Sequence, residues 1–325
     1  EYLAKTLQGL EGVLADELRA LGAKDIQVQR RAVSFKGDKK CLYKANFWLR
    51  TALRILKPVA TFQVKSPDDV YTAIKKLKLE EFITADKTFS IDTTVYSETI
   101  NHSRYVTYKA KDAIVDYFSE KYGKRPSVSV ANPDIYFNLH ISHTTCTLSL
   151  DSSGAPLFKR GYRVAQTEAP INEVLAAGLL MLSGWKGQCD FIEPMCGSGT
   201  IAIEAAMIAL NMAPGLFRKE FAFERWADFD RDMFDEIYND DSLEREFKHK
   251  IYASDVSAKA IGIANANIKS AGLSRYIETK VMDIAEMPVQ EKPIHSVFNP
   301  PYGERLSDFS IKELYSTIYR NLQIK

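Results

Sequence analysis

At 325 residues the chain has room for two or three compact domains, and 46% hydrophobic with 26% charged residues fits a globular protein rather than a disordered or fibrous one. The formal net charge of +1 hides an asymmetry: residues 1–165 carry +8 and the remainder −7, so the front half is expected to hold a polyanion. No run reaches the ~18 apolar residues of a membrane helix, the start shows no secretion signal, and Cys41, Cys146, Cys189 and Cys196 lack C-x-x-C pairing or zinc spacing.

These exclusions point to a cytoplasmic protein with reduced thiols and no metal. The chain opens on Glu1 rather than Met, so its true start is expected slightly upstream.

The first 60 residues mix short elements. Apolar positions Leu10, Val13, Leu14 and Leu18 predict a helix that Gly22 stops. Residues 26–35 read as strands crossing a turn at Arg30-Arg31, and 41–56 as a second helix. Residues 61–165 form another small α+β module. Helices are predicted over 68–77 and 105–122, and a strand over 88–95. A hairpin is predicted from the alternation of Ile135, Phe137, Leu139 and Ile141 followed by 145–150. A third region, 166–325, alternates helix 172–182, strand 189–193, helix 200–210, strand 251–254, helix 258–271, and strands 277–281 and 295–298. That alternation predicts a doubly wound parallel sheet with ligands at the carboxyl ends of its strands.

Every motif falls at such an end. Phe191-Ile192-Glu193-Pro194-Met195-Cys196-Gly197-Ser198-Gly199-Thr200 joins a strand to a helix. Its glycines let the backbone turn tightly and a ligand press close, and the helix that follows presents free N–H groups. A dinucleotide fingerprint would continue to a third glycine; Thr200, Ile201 and Ala202 stand there instead. Glu193 would repel a pyrophosphate but suit a cationic sulfonium ligand. Asp255, ending the second strand, is placed to accept ribose hydroxyls, and Asp283, after the third, to meet an adenine amine. Each Asp alone would more simply be a helix cap; three acids closing three successive strands point to an adenosine cofactor.

Asn299-Pro300-Pro301-Tyr302 follows the fourth strand. An exocyclic base amine is a poor nucleophile because its lone pair is delocalised into the ring. Two acceptors, the Asn299 side-chain oxygen and the Pro300 carbonyl, can hold both N–H groups so that the lone pair faces a methyl donor. The prolines keep the acceptors aimed, and Tyr302 offers a stacking surface. As a bare turn the motif would mean little; after the fourth strand of a glycine-loop domain it reads as catalytic.

Together, Glu193 to Thr200 and Asn299-Pro300-Pro301-Tyr302-Gly303-Glu304-Arg305-Leu306, with Lys159-Arg160-Gly161-Tyr162-Arg163 and Ala169-Pro170 ahead of them, resemble the THUMP-containing bacterial methyltransferases that act on guanine N2 of large-subunit ribosomal RNA. The likeness runs along the whole chain. It implies a ferredoxin-like piece over 1–60, an RNA-gripping THUMP module over 61–165 and a Rossmann-like methyltransferase domain over 166–325. S-adenosyl-L-methionine would be the cofactor and 23S rRNA or its precursor the partner. Glu193, Met195, Gly197, Gly199, Asp255 and Asp283, with Cys196, Thr200 and Asn299 beside them, would hold the cofactor. Asn299, Pro300, Pro301 and Tyr302 would hold the base. Only residues 302–325 follow Pro301, so the last strands of such a sheet are expected to be missing.

Four other readings compete, one of them a nicotinamide oxidoreductase, which Glu193 and the missing third glycine disfavour. Asn-Pro-Pro-Tyr also serves adenine-amine methylation of DNA, a tRNA guanine could replace the rRNA one, and an RNA chaperone could keep the fold without catalysis. Arg30-Arg31, Lys39-Lys40, Lys75-Lys76 and Lys124-Arg125 are candidate phosphate contacts, though solvated faces explain most such pairs. His102 and His143 are expected to have ordinary roles. The aromatic insertion 217–250 is expected to pack its own rings at the periphery, or else to cover the base pocket.

Overall fold

The computed structural model describes residues 1–288, 294–300 and 311–322, apart from the side chains of Ile311, Lys312, Leu314 and Leu322. The chain forms two compact units: residues 1–46, 52–157 and 220–238 make the first, and 47–51, 158–219 and 239–325 the second.

The first unit opens with β1 (Tyr2–Lys5), α1 (Glu11–Ala20), β2 (Lys24–Gln29), β3 (Ala32–Lys36) and α2 (Lys39–Trp48), most of α2 lying in this unit. It continues with β4 (Arg54–Gln63), α3 (Pro67–Lys75), β5 (Thr88–Tyr96), α4 (Ser103–Tyr122), β6 (Ser127–Val128), β7 (Ile135–Ser142) and β8 (Thr145–Asp151). All eight strands join one sheet in the order β2-β3-β1-β4-β8-β7-β5-β6. The helix expected over 41–56 therefore ends early. Its last residues begin β4, which pairs with β1 on one side and β8 on the other and so carries the sheet across the expected module boundary. Pro58 is tolerated there because the register on β8 shifts between Pro58 and Ala60. Elsewhere local chemistry sets the ends. Ser66 and Asp69 form a reciprocal cap on α3 with Pro67 in its first turn, and α4 stops at Gly123 in the left-handed conformation.

Part of the insertion completes this unit. A 3-10 turn at Ala222–Arg225 and α7 (Arg231–Tyr238) lie against α2. Phe223 stacks on Tyr43 with centroids 4.4 Å apart, and Phe234 meets Phe223 edge-on at 5.1 Å. The Tyr43 hydroxyl accepts from the Asp230 N–H at 3.0 Å. The rings thus pack on α2 rather than only on one another. Lys39 pairs with Asp228 at 3.4 Å and Lys40 with Glu236 at 3.2 Å.

This strap overturns the charge argument. Residues 1–46 and 52–157 sum to +4, but residues 220–238 bring −5, so the folded unit carries −1. The basic front half is not a basic folded body.

The second unit contains α5 (Glu173–Leu182), β9 (Phe191–Glu193), α6 (Thr200–Leu210), β10 (Ile251–Asp255), α8 (Ala258–Ser270), β11 (Ile277–Val281), β12 (His295–Ser296) and α9 (Ile311–Leu322). Its four described strands run parallel in the order β11-β10-β9-β12. The chain leaves β9 toward β10 on one side and returns to β12 on the other, so the order reverses at the β9/β12 seam. In such sheets this is where a crevice opens.

Every residue of α6 is buried, as expected of a helix apolar on all faces. The exception in kind is Glu204, fully buried and accepting from Arg160 Nε at 3.3 Å and from the Tyr162 hydroxyl at 3.0 Å. The Lys-Arg-Gly-Tyr-Arg run therefore neutralises an acid inside the core. Removing one member of such a buried pair typically costs about 3–5 kcal/mol. Among the described residues no helix is long and apolar enough to cross a membrane, and no three His, Cys, Asp or Glu side chains cluster as metal ligands would.

Candidate active site

A cavity of about 590 Å³ opens at the carboxyl ends of the second unit's strands, within the size range of small-molecule sites. It gathers Glu193, Met195, Cys196, Gly197 and Thr200 from the glycine loop, Asp255 from β10, Asp283 beyond β11, and Asn299 and Pro300 beyond β12. These motifs lie up to about a hundred residues apart in sequence and share one lining. Pro301 and Tyr302 lie outside the described residues.

The two loop glycines have different work. Gly197 (φ +52°) lines the cavity, and a Cβ there would meet only Thr167 Oγ1, at 3.9 Å. Gly199 (φ +77°) is not among the lining residues; a Cβ there would sit 3.1 Å from that of Ala264 on α8. The second glycine is thus required by the close approach of α8.

The acids differ as well. Glu193 is 2% exposed and accepts from the Ala202 N–H at 2.8 Å. Burial pushes its carboxyl well above the usual carboxylate range, and nearby Asp255 adds to this. Asp255 accepts from the Gly197 N–H on one oxygen and the Ser257 N–H on the other, both at 2.9 Å. Each oxygen keeps a lone pair for a further donor. Asp283 caps the 3-10 turn Ile284–Glu286 through Ala285 N–H at 2.8 Å and still lines the cavity, so its simple and functional roles coexist.

β12 is held against β9, which puts Asn299 at the carboxyl end of the sheet. It pairs with β9 through His295–Phe191 and Ser296–Ile192, and Ser296 Oγ donates to the Ile192 carbonyl at 2.8 Å. The exposed Asn299 follows three residues later. Sequence reasoning missed much of the remaining lining. Thr167, Glu168 and Ile171 come from a coil ahead of α5, joining Ala169 and Pro170. Val256, Met282 and Ile284 add apolar wall and Thr317 comes from α9. The available signal was an apolar Val256 directly after an acid; the structure leaves it 69% exposed.

The family model for an RMKL-like methyltransferase domain matches residues 160–324. The chain belongs to that family. It is a family of S-adenosylmethionine-dependent methyltransferases with a Rossmann-like fold, and the models for the RlmL ferredoxin-like domain and the THUMP domain match residues 1–56 and 64–151. Ribosomal RNA large subunit methyltransferase K/L of Syntrophotalea carbinolica is 37% identical over 99% of this chain and 47% of that protein. The chain thus spans about half the length of that relative. A Synechocystis protein provisionally described as an RNA methyltransferase is 36% identical over 94% of this chain and 80% of its own length. Among solved structures, one provisionally described as a methyltransferase and complexed with SAH superposes with a TM-score of 0.85. It is 31% identical and covers 97% of this chain and 83% of its own.

Proposed function

We propose that this chain methylates the exocyclic N2 amine of a guanine in large-subunit ribosomal RNA in the cytoplasm, with S-adenosyl-L-methionine held in the 590 Å³ cavity. One observation carries the reading: Asn299 and Pro300 share a lining with Gly197, Glu193, Asp255 and Asp283. The residues fit the cofactor. Asp255 has lone pairs left for hydroxyl donors, Val256, Met282 and Ile284 supply apolar wall for a purine, and Glu193 supplies latent negative charge beside the loop. When bound, the cofactor supplies an electrophilic methyl group on a positively charged sulfur.

The chain's own residues do the rest. Asn299 Oδ1 and the Pro300 carbonyl accept the two N–H groups of the base amine, which turns the nitrogen lone pair out of conjugation. Pro300 limits the backbone so that both acceptors hold their aim. No strong base is required, because the amine becomes acidic on methylation. Tyr302 is assigned as the stacking platform and Pro301 as the second rigid corner.

The large-subunit RNA reading is supported by the name of the Syntrophotalea relative and by the match to a THUMP domain. Methyl transfer to rRNA, tRNA and duplex DNA should be assayed side by side, and product nucleosides identified. N2-methylguanosine from rRNA is expected. Transfer only to DNA, or to adenine, would refute the proposal. Asn299→Ala should lower kcat on the order of 10²–10³-fold with SAH affinity unchanged.

A further inference from the structure

The coil between Arg163 and Asn172 forms one wall of the cavity, and side chains on α8 and the glycine loop hold it there. Asn267, on α8, is 1% exposed and is not among the lining residues. Its side chain makes four hydrogen bonds. Oδ1 accepts from the Val164 and Ala165 N–H groups at 2.9 and 3.1 Å. Nδ2 donates to the Ala165 carbonyl at 2.9 Å and to the Ser198 carbonyl at 3.0 Å. One buried amide therefore ties the coil to the glycine loop. Ser198 answers from the loop side, its Oγ accepting from the Thr167 N–H at 2.9 Å. Arg163 closes the base, donating from Nη2 to the Ile171 carbonyl at 3.1 Å and to Thr200 Oγ1 at 2.9 Å. Between those ties, Glu168, Ala169 and Pro170 line the cavity.

We infer that Asn267 is a positioning residue for the cofactor site: by holding the 164–167 coil against the Ser198 carbonyl it sets the separation of the two cavity walls, and so controls cofactor affinity without touching the ligand. The inference rests on the cofactor reading given above. An amide is the side chain this role demands. It offers an acceptor to two N–H groups and donors to two carbonyls, and each unmet partner would be left buried.

The test measures SAH and S-adenosylmethionine binding by calorimetry, with thermal denaturation of the ligand-free protein, in the unsubstituted chain, Asn267→Ala, Asn267→Asp and Ile268→Ala. Ile268 is the similarly buried neighbour on α8, belongs to the apolar core and has no polar side-chain atom to bond the coil. Asn267→Ala is expected to weaken binding by on the order of 10- to 100-fold, the loss of two or three net hydrogen bonds. With saturating cofactor kcat should fall far less than KM rises. Asn267→Asp keeps the acceptor but faces two carbonyls with an oxygen, and should bind no better than Asn267→Ala. Ile268→Ala should lower the melting temperature yet leave affinity within about twofold. Unchanged affinity in Asn267→Ala, or an equal loss in Ile268→Ala, would overturn the inference. Should Asn267→Ala not fold, amide exchange in the unsubstituted protein decides: Val164 and Ala165 must gain protection when SAH binds, and no gain overturns it. Failure of the unsubstituted chain to bind either ligand would instead refute the cofactor reading.

Discussion

Glu193 stands in a conflict that its surroundings create. Burial raises its pKa well above the ordinary value, so the folded, ligand-free protein holds a proton that the unfolded chain releases. Above the unfolded pKa the native state thus binds more protons than the unfolded one. Stability contributed by this site is therefore full at low pH and declines as pH rises toward the raised native value. Glu193→Gln retains an acceptor for the Ala202 N–H and never ionises. Melting curves from pH 5 to 9 should show the variant gaining on the unsubstituted protein as pH rises. Titration should show it losing affinity for S-adenosylmethionine more than for SAH, whose sulfur carries no charge. A parallel pH dependence in both proteins, or equal losses for the two ligands, would contradict this account.

At the scale of elements, the turn from β9 into α6 separates two demands that a Gly-x-Gly pattern merges. Gly197→Ala faces open space beyond Thr167 Oγ1, so it should cost little beyond the left-handed backbone, about 1–2 kcal/mol, but weaken SAH binding. Gly199→Ala adds a contact with Ala264 and should lose about 2–4 kcal/mol of stability, read by denaturant unfolding. Equal stability losses would refute the division. Sequence could not make it, because Ala264 lies 65 residues away and spacing says nothing of which helix approaches. Strong periodic elements were legible: α6 and β11 match their expected bounds, and the β7/β8 hairpin appears where alternation put it. β4 was not legible, since Leu53-Arg54-Ile55-Leu56 continues a helical rhythm and Pro58 argues against a strand until the bulge is seen. In the cavity, residues of distinctive chemistry such as Glu193, Asp255 and Asn299 could be named from sequence. Lining residues such as Ile171, Met282 and Thr317, ordinary in type, were visible only after folding.

For the whole molecule, net charge by sequence halves misleads because residues 220–238 return to the first unit and carry −5 with them. The RNA substrate proposed above would then be met by local patches rather than by a basic body, and Lys39, Lys40 and Lys75 are already paired with Asp228, Glu236 and Glu120. The strap also bears on stability. A fragment of residues 1–157 would leave Tyr43 without Phe223, a loss comparable to Phe→Ala truncation at about 3–5 kcal/mol. It should melt well below the same fragment fused through a flexible linker to residues 220–238. Identical melting of the two would show the strap to be dispensable.

That returning segment also sets an order of events during synthesis. When residue 157 has left the ribosome, the first unit still lacks its last piece, which emerges only after roughly 80 more residues. At about 5–20 residues per second the wait is roughly 4–16 s. Through that interval the nascent chain presents an aromatic gap at Tyr43 while the glycine loop is already being translated. A chaperone that recognises newly made apolar surface would find it there, and a codon change that slows the ribosome after residue 157 has emerged and before residue 238 does would lengthen the exposure without altering a single amino acid.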